Sequence, residues 1–191
     1  CYHRSIALMN AAGFGTSEAV MMDHFTTALL YKAAYVPDSC SGAIAAYDRA
    51  LRTMLQHVGH PPDVDPLIYD AHITNPAQMV ELFYLRALSL RLRDDVYPED
   101  NYVDGAIRTL EAAVPYWEHL LRDYRSRDIE KVVGSYGHYP FMPGSEMYLR
   151  RYIRKGDAED LHRSLIWSER NRGASLQRKR MLAGLPPAIV N

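Results

Sequence analysis

The sequence predicts an all-α fold, a stack of antiparallel helical hairpins with an extended C-terminal tail. Three observations lead there. Apolar residues recur at steps of three and four through every long periodic segment, the spacing that lines one face of an α-helix. Clusters of Pro, Gly, Asp and Asn interrupt these segments about a helix length apart. The opening of one helix recurs further along the chain, as a stack of similar units requires. At 191 residues and 48% hydrophobic composition, the chain can bury a core as one domain.

The first helix is expected after the loop Gly13-Phe14-Gly15, with Thr16 or Ser17 as N-cap and Glu18 in the first turn, where negative charge complements the helix dipole. It should run to about Ala34 with Met21, Phe25, Ala28 and Leu29 on one face. Val36-Pro37-Asp38-Ser39 breaks it, because Pro37 disfavours helix at the residue before and Asp38 or Ser39 can cap a new one. Ile44, Tyr47, Leu51, Met54 and Val58 then form the apolar face of a second helix, and so short a turn makes the two antiparallel neighbours.

Gly59-His60-Pro61-Pro62-Asp63 stops this hairpin. A short helical turn over residues 66–73 is expected, and Asn75-Pro76 opens the next helix with Pro at its first position. That helix, to about Arg93, is apolar on more than one face (Met79, Val80, Leu82, Phe83, Leu85, Leu88, Leu90, Leu92), as befits one packed between two neighbours. After Pro98 another helix opens near Asp100 or Asn101 and carries Val103, Ile107, Leu110, Val114, Trp117, Leu121 and Tyr124, with a kink or break expected at Pro115.

A Gly-, Pro- and aromatic-rich loop over residues 134–144 precedes the last hairpin. Its helices are expected from Ser145 to Lys155 and from Ala158 to about Arg170, around a turn at Gly156-Asp157. The domain reading is therefore an N-terminal extension (1–16), a helical-repeat domain (17–170) and a C-terminal tail (171–191) that should be mobile when free.

The 22 Lys and Arg nearly cancel the 23 Asp and Glu, so the chain lacks the overall positive field that steers nucleic-acid binders. Cys1 and Cys40 form no CxxC pair, which reads as a reducing compartment. No apolar run reaches the roughly 18 residues of a membrane span. The chain starts at Cys1 without a Met, and the expectation is a processed form whose targeting segment has been removed.

Ser41-Gly-Ala-Ile-Ala-Ala-Tyr-Asp-Arg-Ala-Leu51 matches Asp104-Gly-Ala-Ile-Arg-Thr-Leu-Glu-Ala-Ala-Val114, and Gly156-Asp157-Ala158-Glu159-Asp160-Leu161 opens a third helix in a similar way. The chain reads as three degenerate helix-turn-helix units. These units resemble pentatricopeptide and tetratricopeptide repeats: Gly59-His60-Pro61-Pro62-Asp63-Val64 is similar to the inter-repeat junction of the pentatricopeptide family, and Lys155-Gly156-Asp157 to its intra-repeat turn. The unit separations are irregular, and the positions that read RNA bases in that family have no clear counterparts here. Size, three degenerate repeats and near-neutral charge are similar to pentatricopeptide-type accessory subunits on the F1 sector of euglenozoan mitochondrial ATP synthases. That resemblance implies a protein partner, the F1 α subunit, a mitochondrial matrix location and no RNA role.

Chemical motifs give way to plainer readings. His57 and His60 with Asp63 and Asp65 have metal-ligand chemistry, but a His at a helix C-terminus is stabilised by the dipole and needs no ion. Ser135 and His138 lack a third group to orient the histidine. Gly134 and Gly137 lack the Lys-Ser/Thr step of a phosphate loop. Asp94-Asp95 and Glu99-Asp100 read as helix-flanking caps, and Trp117 and Trp167 as core. The expectation is no enzyme, no cofactor and no metal.

The remaining signal is charge asymmetry. Residues 145–191 hold ten basic and five acidic side chains, a net of +5 against −6 for the rest. Arg170, Arg172, Arg178, Lys179 and Arg180, followed by the apolar Leu185, Ile189 and Val190, are the candidate partner-binding residues. A non-catalytic accessory subunit holding a protein partner is the leading expectation. The alternative is a pentatricopeptide-like RNA-binding factor of an organelle.

Overall fold

The computed structural model describes residues 2–13, 18–33, 37–123 and 140–182. Among these every regular element is helical: α1 (Tyr2–Ala11), α2 (Glu18–Ala33), α3 (Pro37–His57), α4 (Pro76–Val96), α5 (Tyr102–Asp123), α6 (Phe141–Lys155) and α7 (Ala158–Leu182), with one 3₁₀ turn at Pro98–Asp100. From α2 onward each helix packs on the next in sequence, and α1 lies against α2. The result is a row of three hairpins, α2/α3, α4/α5 and α6/α7.

The apolar faces read from the sequence form the core. Tyr47, Leu51 and Leu55 of α3, Met79, Leu82 and Phe83 of α4, and Val103, Leu110 and Tyr116 of α5 are fully buried. Helix α4 is packed by α3 on one side and α5 on the other, so apolar residues on more than one of its faces find partners. Asn75 caps it, its side chain accepting from the Gln78 backbone N–H at 3.2 Å, and Pro76 takes the first helical position, where its missing N–H costs nothing.

The structure refines several local expectations. Residues 2–11, read from the sequence only as part of an N-terminal extension, are helical; a ten-residue helix is too short to announce itself by periodicity and is marginal without the α2 surface beneath it. Residues 66–73 form no helical turn. Asx turns shape this stretch, Asp65 accepting from the Leu67 N–H and Asp70 from the His72 N–H, and the Tyr116 hydroxyl ties it to α5 by accepting from Asp70 N–H and donating to the Ile68 carbonyl. Of the kink or break expected at Pro115, the break does not occur: α5 runs on through it, with Ala113, Tyr116 and Trp117 around it buried. Helix α6 begins at Phe141, not Ser145, with Pro143 in the first turn, where no intrahelical N–H bond is lost. Helix α7 continues past Arg170 to Leu182, through a stretch whose Arg, Leu, Gln, Lys and Met are good helix formers.

The α6/α7 turn is made by Gly156, which caps α6 at φ 73° and returns its N–H to the Tyr152 carbonyl at 2.7 Å. A second glycine sets the distance between these helices. A Cβ on Gly144 would lie 2.0 Å from Cε3 of Trp167, so only glycine lets the indole lie against the α6 backbone. One residue on, Ser145 donates to the Ser164 carbonyl and Ser164 to the Ser145 carbonyl, both at 2.9 Å. This reciprocal pair locks the register of the hairpin.

Candidate functional site

Among the described residues, the positive charge of α6 is spent inside the chain. Arg154 bonds both oxygens of Asp94, on the last turn of α4, at 2.7 Å each. Arg150 bonds Asp95 and Glu146. Arg151 grips Asp160 of α7 through Nε at 2.8 Å and Nη2 at 2.5 Å and reaches Asp104 of α5 at 2.9 Å, where Lys155 also binds. Arg163 pairs with Glu159 at 3.0 Å and stands 3.6 Å from Glu111. These carboxylates hold Arg151 well above the ordinary guanidinium value, the Asp160 hydrogen bonds foremost. Burial pushes Asp104 up, but hydrogen bonds from Arg151, Lys155 and Asn101 outweigh it and leave the group at about 2.

Five of the ten basic residues behind the +5 are thus structural, clamping α6 to α4, α5 and α7. Asp94 and Asp95 belong to that clamp and do not cap the following helix, which corrects the sequence reading. The pairing spans 60 residues between Asp94 and Arg154, and no local signal in the sequence could have announced it.

The candidate partner-binding residues fall in three groups. Arg170 stacks over the Phe141 ring, 5.8 Å from its centroid, and Arg172 pairs with Glu169 at 3.4 Å; both remain exposed. Arg178, Lys179 and Arg180 belong to the final turns of α7, and their side chains lie outside the described residues. Leu185, Ile189 and Val190 also lie outside them, as do Ser135, His138, Gly134 and Gly137.

His60 is engaged by Asp70. Its Nε2 lies 2.6 Å from Asp70, whose other oxygen meets Nδ1 of the exposed His72 at 2.9 Å. Asp65 is occupied in its Asx turn and Asp63 is exposed. No group of three or more His, Cys, Asp or Glu converges among the described residues. Trp117 and Trp167 are core residues, the latter edge-on to Phe141 with centroids 5.5 Å apart.

A surface that the sequence reading missed lies on the outside of the clamp. Met142, Leu149 and Ile153 are 65%, 40% and 73% exposed, and their spacing of seven and four puts them on one stripe of α6. The spacing was legible, but only the tertiary structure distinguishes an apolar stripe left in solvent from one that feeds the core. No helix among the described residues is long and apolar enough to cross a membrane. No family model, curated protein or solved structure matches this chain.

Proposed function

We propose that the chain is a non-catalytic accessory subunit that binds a protein partner through the outer side of its last hairpin. One observation carries the reading: Arg150, Arg151 and Arg154 of α6 are held by the chain's own carboxylates, while Met142, Leu149 and Ile153 beside them stand in solvent. An RNA-binding surface wants free guanidinium groups and gains little from aliphatic side chains, whereas a protein interface has an apolar centre and a polar rim. Residues 183–191, with Leu185, Ile189 and Val190, are proposed to extend the contact beyond α7. The resemblance of the repeats to pentatricopeptide-type F1 subunits makes the F1 α subunit of a mitochondrial ATP synthase the first partner to test, with the matrix as its compartment.

The test is quantitative binding of the purified chain to that sector. A Leu149→Asp/Ile153→Asp variant should bind at least about tenfold more weakly, a loss of about 1.4 kcal/mol, with unchanged circular dichroism. Deleting residues 183–191 should weaken binding in the same direction. Affinity should barely change between about 50 and 200 mM salt, where a contact to six or more phosphates would lose about a thousandfold. Steep salt dependence with retained RNA, or full binding by the variant, rejects the reading.

A further inference from the structure

Helix α7 ends the row, and the side turned away from α6 departs from an ordinary solvated face. Leu165 and Ile166 stand on it 60% and 42% exposed, and with His162, Glu169 and Arg170 they line a shallow depression. Gly173 lies on the same side with open space where its side chain would be. Glycine inside a helix is destabilising relative to alanine, and no neighbour among the described residues requires it here. At the other end of this face the corresponding position is Ala158, also small.

We propose that α7 is the contact of a two-fold homodimer, in which α7 of a second copy lies antiparallel across it with the axis between Leu165 and Ile166. In such a contact a residue before the axis meets one equally far after it, and each flank meets itself. Leu165 meets the second copy's Leu165, and Ile166 the second copy's Ile166. His162 meets the second copy's Glu169, twice per dimer. Glu159 and Arg170 share one flank by helical phase and come within reach of each other's copies. Ala158 and Gly173 fall opposite one another at both ends, where small residues let two backbones approach.

The face is therefore complementary to itself in shape and charge, which an unrelated partner would not require. The competing internal contacts of its charged groups are exposed: pairs within α7, Arg172 with Glu169 and both His162 and Arg163 with Glu159, which are weak and easily exchanged, and the stacking of Arg170 on the Phe141 ring of α6. The contact runs about 24 Å along one helix and falls below the standard interface of about 1,600 Å², so the dimer is a reversible one, with a dissociation constant on the order of 10 µM or weaker.

The proposal is tested on the purified full chain, without any other protein, so its outcome is independent of the accessory-subunit reading. Sedimentation velocity between about 5 and 500 µM should show the monomer giving way to a dimer as concentration rises. Leu165→Glu and Ile166→Glu should each remain monomeric with wild-type circular dichroism, since both side chains are exposed. Glu169→Arg should weaken the dimer at least tenfold, and adding His162→Glu to that variant should restore it. In a Cys1→Ser/Cys40→Ala background, mild oxidation should link Ile166→Cys into a dimer and leave Ile153→Cys, on the α6 stripe, monomeric. A chain that stays monomeric throughout, a dimer indifferent to the Glu variants, or equal cross-linking from both cysteine positions overturns the proposal and leaves this face to a different protein.

Discussion

Arg154 holds both oxygens of Asp94 at 2.7 Å, and Asp94 is completely buried while Arg154 is 34% exposed. The pair joins the last turn of α4 to the last turn of α6, and its two halves are not equivalent. A guanidinium that loses its partner can turn to water; a buried carboxylate cannot. Arg154→Met leaves Asp94, among the described residues, with Arg150 at 3.8 Å as its remaining cation and should cost about 3 kcal/mol. Asp94→Asn keeps the shape and frees an arginine that can reach solvent, and it should cost about 1–2 kcal/mol. Urea unfolding of both variants checks the order, and equal costs would mean that the Asp94 carboxylate reaches water.

Asp70 gives the protein an acid dependence. The backbone N–H of His72, then His60 at 2.6 Å, hold its carboxyl at about 2, below the ordinary 3.8. A depressed carboxyl adds stability that is complete above its unfolded pKa and is lost as pH falls through its folded one. That contribution should be present above about pH 4 and gone near pH 2. Urea midpoints for the wild type and Asp70→Asn should differ at pH 5 and converge near about pH 2. Asp104, also at about 2, falls in the same window, so the variant should flatten only part of the wild-type loss.

Gly144→Ala places a methyl 2.0 and 2.2 Å from Cε3 and Cζ3 of Trp167. Backbone and indole must separate, at a cost of about 1–3 kcal/mol. Adding Trp167→Leu should make the combined loss smaller than the sum of the two single losses, because the smaller side chain removes the overlap. Thermal unfolding of the two single variants and the double variant decides it, and strict additivity would show that the close approach carries no strain.

Tyr47 is fully buried, and its hydroxyl finds no hydrogen-bond partner among the described residues. Burial, with Glu81 nearby, pushes its pKa far up. A hydroxyl desolvated without a partner is a cost that Tyr47→Phe removes, so that variant should be neutral or more stable by up to about 1 kcal/mol. A loss above about 1 kcal/mol in urea unfolding would mean that the hydroxyl is paired in solution.

Much of the fold was legible because helix periodicity and punctuation are local. Met79, Leu82 and Phe83 announced α4 as the centre of the core, and Asn75-Pro76 announced its start. The departures arose where local rules compete with packing: Pro115, across which buried neighbours kept α5 continuous, and Phe141, whose helix starts four residues before the position expected.

The sequence by itself determined that the chain is helical, which faces are apolar and where the hairpins turn, because these depend on residues three or four apart. Only the tertiary structure decided where the charges and the surplus aliphatics lie. Arg150, Arg151 and Arg154 counted as a basic surface until Asp94, Asp95 and Asp104, from about 50 to 60 residues earlier, were brought against them. Met142, Leu149 and Ile153 drew no reading from the sequence, and it is the packing of α6 that leaves them exposed. Coulomb attraction and burial act through space, and a single sequence records neither distance.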